Sequence, residues 1–134
     1  MLARLFTEQF AFSKGDSVVV IGLGRFGGAV ANSLMQLGHD VMGIDRDAEP
    51  VHEWTELLTH AVQADSTNAV TMRQLGVADF SHAIVGIGGD LAASLMTVMA
   101  LTELGTPDIW LKAMTPEHGK IAERIGAHHV VYPE

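Results

Sequence analysis

Gly22, Gly24 and Gly27 stand in a G-x-G-x-x-G spacing directly behind Val18, Val19, Val20 and Ile21. A β-branched run that breaks into this spacing is a buried strand turning into a helix, and the chemistry it offers is phosphate binding. Gly22 would let the chain turn tightly. Gly24 would let the backbone approach a phosphate with no Cβ in the way, and Gly27 would let the helix pack close to the strand. The helix N-terminus would add N–H groups and a partial positive charge. Asp45, 18 residues beyond Gly27, ends a second strand beside that turn. A carboxylate there accepts from both ribose hydroxyls and repels a 2′-phosphate, which disfavours NADP; the neighbouring cation Arg46 tempers this. The plain alternatives are a glycine-rich turn without a ligand and an acid at a helix N-terminus.

Other candidates fall on the same edge. Asp65-Ser66-Thr67 closes a third strand, so Asp65 or Ser66 could meet an adenine, or the three could serve only as a helix cap. Gly88-Gly89-Asp90 closes a fourth and leaves room for phosphates or the second half of a dinucleotide. Arg25 lies inside the glycine motif, where most dinucleotide folds carry an uncharged residue. Its guanidinium could fork onto phosphate oxygens of its own ligand or a neighbouring subunit's, or simply stand in solvent. Lys112 closes a fifth strand and could reach a terminal phosphate. The seven histidines, at 39, 52, 60, 82, 118, 128 and 129, form neither H-x-x-x-H nor H-E-x-x-H, which argues against zinc. No motif pairs a nucleophile with a base. The seven methionines read as core filler.

These residues need a scaffold of alternating strands and helices. Strands are predicted over 17–21, 41–45, 60–64, 82–87, 108–113 and 128–132, with helices over 25–37, 48–57, 68–75, 91–104 and 116–125. The first and fourth strands are continuous apolar runs, as parallel strands covered on both faces should be. Right-handed crossovers then give an α/β, Rossmann-like, doubly wound sheet in the order 3-2-1-4-5-6. Residues 13–16 read as a turn, and Gly38 as the C-terminal cap of the first helix. The helix over 91–104 has almost no polar face. It needs a second cover, either a subunit interface or the segment 1–12, which itself reads as a short amphipathic helix or a loosely packed extension.

Composition sets outer bounds. The 134 residues suit one domain, and 48% apolar residues supply a core. A net charge of −8 argues against general attraction to nucleic acid or an anionic membrane. Cysteine is absent, which excludes disulfides and thiolate metal sites and fits the cytoplasm. No apolar run approaches the ~20 residues of a membrane span, so direct membrane insertion is not expected. The division expected is an N-terminal extension over 1–16 and a nucleotide-binding lobe over 17–134.

Five blocks occur in order: Val-Ile-Gly-Leu-Gly-Arg-Phe-Gly-Gly, Gly-His-Asp-Val-Met-Gly-Ile-Asp, Gln-Ala-Asp-Ser-Thr, Ile-Trp-Leu-Lys-Ala and Ile-Gly-Ala-His-His-Val-Val-Tyr-Pro-Glu. Together they resemble the N-terminal lobe of the RCK/KTN (TrkA-N) domain, in particular that of the cytosolic subunits of bacterial Ktr/Trk-type potassium uptake systems. The resemblance implies a regulator and not an enzyme. It implies a lobe that binds ATP or ADP, with NAD or NADH as alternatives, and dimerises through sheet-flanking helices. It further implies an octameric ring under a membrane potassium channel subunit, peripheral at the inner face of the cell membrane, with ATP favouring the active state and ADP the inactive one. By position, the nucleotide would be held by Gly22, Gly24, Arg25, Phe26, Gly27, Asp45, Arg46, Asp65, Ser66, Ile87, Gly88, Gly89, Lys112, Ala113, Met114 and His118. Arg25 would reach the terminal phosphate across the dimer. Glu134 would help hold Mg or another cation beside the phosphates. Relatives usually continue into a C-terminal lobe, which in some binds cyclic di-AMP, and none is expected within these residues. Two other functions use the same crevice: an NAD(H)-binding redox sensor and the cofactor half of an NAD-dependent oxidoreductase.

Overall fold

The computed structural model of the chain describes residues 12–132. The helix expected over 1–12 and the cation role of Glu134 therefore lie outside the described residues, Phe12 apart. The strands are β1 (Ser17–Ile21), β2 (Asp40–Asp45), β3 (His60–Gln63), β4 (His82–Val85), β5 (Asp108–Lys112) and β6 (His129–Val131). The helices are α1 (Arg25–Gln36), α2 (Ala48–Trp54), α3 (Ala69–Gln74), α4 (Leu91–Glu103) and α5 (Pro116–Arg124). All strand pairs are parallel and the order is β3-β2-β1-β4-β5-β6, the doubly wound arrangement that the alternation predicts.

Side chains of a strand alternate between the two sheet faces, and β1 shows why its run has no polar residue after Ser17. Val19 and Ile21 enter one core with Met42, Ile44, Val85, Val98, Leu101, Ile109 and Leu111. Val18 and Val20 enter the other with Val30, Leu34, Val41, Ile84 and Trp110. All four are at most 1% exposed. Burying each such side chain contributes roughly 1.5–3 kcal/mol over leaving it in water. The central strand is thereby fixed from both sides, and with it the turn that follows.

Helix ends follow local chemistry. Asn68 caps α3 by accepting from the N–H groups of Val70 and Thr71, so none of Asp65, Ser66 or Thr67 is the cap. Thr115 caps α5, with Pro116 opening the helix. Gly38 ends α1 at φ +91°, a conformation that glycine adopts without Cβ strain. A 3₁₀ turn over Val77–Asp79, which the sequence reading lacks, carries the chain from α3 to β4. The second helix is shorter than predicted and ends at Trp54. The Trp54 indole lies where a Cβ on Gly28 would stand, 2.7 Å from its Cζ2, so α2 packs tightly on α1.

The amino ends of the strands hold a cluster of rings and acids. Phe12 stacks on His82 at 3.7 Å between centroids, and Trp110 stacks on His129 at 4.1 Å. Asp108 accepts from the Trp110 indole N–H at 3.0 Å, and its other oxygen lies 3.2 Å from His129 Nε2.

Helix α4 buries Ser94, Thr97, Val98, Ala100 and Leu101 against the sheet. Leu91, Met96 and Met99 remain 45%, 50% and 56% exposed.

Candidate functional site

Two chain reversals meet at the carboxyl ends of β1 and β4. There the strand order switches direction, and open α/β sheets form their ligand crevices at such points. After β1, Gly22 takes φ +93°; a Cβ on it would come within 2.9 Å of the Gly86 carbonyl carbon and the Ile87 nitrogen. After β4, Gly86 donates its N–H to Ile21 O at 2.8 Å and leaves the strand. That ends β4 at Val85, two residues before the predicted Ile87. A Cβ on Gly86 would press on the Phe26 ring at 3.1 Å. Gly27 lies against the Gly22 carbonyl oxygen so closely that a Cβ would overlap it. The packing expected of Gly22 and Gly27 is therefore present, and Gly86 is a third participant. Gly24 differs from all three: a Cβ there would meet nothing within 4 Å, because the space above it is open.

That open space belongs to a crevice of about 430 Å³, within the range of small-molecule sites. Of the residues singled out from sequence, Gly22, Gly24, Arg25, Phe26, Asp45, Arg46, Asp65, Ser66, Ile87, Gly88 and Lys112 line it. Gly27, Gly89, Ala113, Met114 and His118 do not. Residues that the sequence reading missed also line it, among them Asp47, Pro50, Thr67, Gly86 and Ala93. Gly86 had a signal, since a glycine inside a strand pattern often marks close backbone approach.

Helices α1 and α2 begin at this crevice without a side-chain cap, on Gly24 and Asp47 respectively. The first amides of a helix have no intrahelical acceptor, so those of α1 stay available to an anion. No acidic residue sits in the first turn of α1 to compete.

The Asp45 carboxylate is held from two sides. Oδ2 accepts from Leu23 N–H at 2.8 Å and Oδ1 from Asp47 N–H at 2.9 Å. The first bond fixes the acid against the glycine loop; the second organises the entry to α2. Each oxygen keeps a lone-pair direction for another donor. Asp65 accepts from the Thr67 hydroxyl and amide, and these bonds, Thr67's hydroxyl first, hold its carboxyl below the usual range. The Ser66 hydroxyl is buried and paired with Thr97 Oγ1 at 2.7 Å, which joins the β3 end to α4.

Cations surround the opening unevenly. Lys112 Nζ lies 5.4 Å from the centre of the Phe26 ring, a cation–π distance. Arg46 Nη1 lies 3.1 Å from Asp90 Oδ2. Arg25 is exposed and makes no ion pair among the described residues. His118 is 2% exposed. Its Nδ1 accepts from Met114 N–H at 3.1 Å, its Nε2 has no hydrogen-bond partner among the described residues, and burial lowers its pKa. It braces the β5–α5 connection from behind the crevice wall. Among the described residues no cluster of three or more histidines and acids could hold a metal ion, and no helix is long and apolar enough to cross a membrane.

Comparison with known proteins gives a consistent set. The TrkA-N domain family matches residues 18–133. The Ktr system potassium uptake protein A of Bacillus subtilis (strain 168) is 39% identical over 133 residues, 99% of this chain and 56% of that protein. The chain spans about half the length of the curated relatives it matches. Among solved structures, GsuK bound to ADP superposes with a TM-score of 0.78 at 27% identity, covering 98% of this chain and 35% of that one. The GsuK channel bound to NAD superposes at 0.75 and 27% identity, covering 92% of this chain and 22% of that one.

Proposed function

The chain belongs to the TrkA-N domain family, and from that premise we propose that it is a nucleotide-sensing regulatory lobe of a potassium uptake system, a regulator and not an enzyme. ATP and ADP compete for the crevice behind Gly22 and Gly24. The observation that carries this reading is the Asp45 carboxylate, fixed on the Leu23 amide beside the uncapped start of α1. In this arrangement the diphosphate lies over Gly24, where the space is open, and the ribose hydroxyls donate to Asp45. Asp65 and Ser66 face the base, while Ile87, Gly88 and Lys112 bound the phosphate end. Gly89, Ala113, Met114 and His118 act by shaping the β4–α4 and β5–α5 connections. Glu134 supplies a ligand for Mg or another cation at the phosphates.

Support for the physiological setting comes from two directions. A relative at 39% identity is a potassium uptake protein, and a neighbouring fold is GsuK bound to ADP. Two lobes pair through the exposed apolar side of α4, where Leu91, Met96 and Met99 await a cover, and the pairs build an octameric ring. Arg25, which has no ion pair among the described residues, then reaches the terminal phosphate held by the partner lobe. The ring works in the cytoplasm, against a membrane channel subunit. Because only differential affinity shifts an equilibrium, ATP and ADP must favour different lobe arrangements.

Calorimetry with ATP, ADP, NAD and NADH on one preparation tests the reading, paired with solution scattering of each complex. The expected result is micromolar-range binding of ATP and ADP with distinguishable scattering profiles. Binding of none of the four overturns it. Binding of NAD and NADH alone favours the second reading, an NAD(H) sensor, to which the NAD-bound GsuK channel points.

A further inference from the structure

We propose that Asp90 sets the ribose specificity of the crevice: by holding Arg46 it withholds the cation next to Asp45 that would compensate a 2′-phosphate, so that the site selects unphosphorylated ribose. This rests on the nucleotide reading above and extends it to a residue outside the crevice wall.

In folds of this class, the acid that ends β2 binds the ribose hydroxyls, and an arginine nearby is what accommodates a 2′-phosphate. Here both residue types are present in succession, Asp45 then Arg46, and sequence alone leaves the choice open. The structure resolves where the guanidinium goes. It spans the crevice mouth to Asp90, with Nη1 3.1 Å from Oδ2. The Arg46 backbone is fixed separately, because its carbonyl accepts from Gln63 Nε2 at 3.0 Å. The side chain alone is therefore free to choose a partner.

Asp90 is a rigid acceptor. Its Oδ1 accepts from Ala93 N–H at 2.9 Å and caps α4, which leaves Oδ2 aimed at Arg46. Arg46 is 67% exposed and Asp90 33%. An ion pair this open is a weak stability device, yet it suffices to set the direction of a long side chain. Asp45, Asp47 and Asp65 line the same crevice as Arg46 and all repel a 2′-phosphate; Asp90 completes the set by occupying the counter-charge.

Asp90→Asn separates the roles. Asparagine caps helices as well as aspartate does, so α4 keeps its start while Arg46 loses its charged partner. The test measures Kd by calorimetry for AMP and for adenosine 2′,5′-bisphosphate, which differ only at the 2′ position. The wild type should prefer AMP. Asp90→Asn should narrow that preference about three- to fivefold, the scale of one exposed charge pair, through tighter bisphosphate binding at unchanged AMP affinity and unchanged Tm. Arg46→Ala combined with Asp90→Asn should abolish the gain. An unchanged ratio in Asp90→Asn, or a gain that survives in the double variant, overturns the assignment while the nucleotide site stands. Wild-type protein that binds neither compound overturns the nucleotide reading and this inference with it.

Discussion

His82 Nε2 lies 2.8 Å from Asp16 Oδ2, which ties the start of β4 to the turn that leads into β1. The same ring meets a second acid through Nδ1, 2.8 Å from Asp108 Oδ2. An imidazole set between two carboxylates donates to both only in its protonated form. His39 Nδ1 is 3.1 Å from the Asp16 carbonyl oxygen and completes the base of the sheet. Three strands and the incoming chain are therefore joined at the end opposite the crevice.

Asp108 is the hub of that cluster, since it accepts from Trp110 and faces His82 and His129. Asp108→Ala should lower unfolding free energy by about 1–3 kcal/mol, the cost of leaving the part-buried His82 and Trp110 donors unmatched. Urea denaturation measures it. Asp16→Asn, which loses one charged partner at a more exposed place, should cost less; equal losses would mean that the acids do not act as hub and rim.

Asp16 gives the cluster a pH signature. The hydrogen bond from His82 lowers its pKa from the ordinary 3.8, burial opposes this, and the Ser13 amide and the charges of His82 and His39 add to the lowering. A depressed folded-state pKa contributes stability above the unfolded value that is lost as pH falls through the folded one. The stability gap between wild type and Asp16→Asn should be present at about pH 5 and close below the ordinary carboxylate value. A gap that widens in acid would contradict the geometry.

His118 works in the other part of the scale. Burial lowers its pKa from 6.5, so below that value the unfolded chain binds the proton more readily, and stability falls as pH drops. His118→Gln keeps an acceptor for the Met114 amide and removes the titration. Its urea midpoint should decline less than that of the wild type between about pH 7 and pH 5.5. Parallel declines would place the acid sensitivity elsewhere.

Two glycines of the same motif, three residues apart, should separate folding from binding. Gly27→Ala places a methyl on the Gly22 carbonyl and should cost several kcal/mol, about 3 or more, or prevent folding. Gly24→Ala meets open space. It should keep its Tm and lose nucleotide affinity, read by thermal melts and calorimetry together. A Gly24→Ala protein that binds ATP and ADP normally would show that no phosphate approaches there.

The sheet was readable because each apolar run is followed by a helix pattern, and parallel order follows from that alternation. Asp45, Gly88 and Lys112 could be placed at one edge for the same reason: each comes directly after such a run. What escaped was set by distance along the chain. Gly86 interrupts an apolar stretch, a sign of close approach, but the residue it meets, Gly22 at the end of β1, lies far away in the chain. The Ser66–Thr97 bond spans 31 residues, Arg46–Asp90 spans 44 and Asp16–His82 spans 66. None has a local pattern to betray it. Met114 and His118 lie near the crevice edge in sequence order, but His118 turns its ring into the core.

The Trp54 indole packed on Gly28 has a practical consequence. It lines one surface recess with Leu23, Gly24 and Arg25, whereas the other tryptophan, Trp110, stacks on His129. The two tryptophans of the chain thus have separate surroundings. Changes in Trp54 emission would follow the glycine loop, and changes in Trp110 emission the base of the sheet. One cuvette can follow both ends of the molecule without a label.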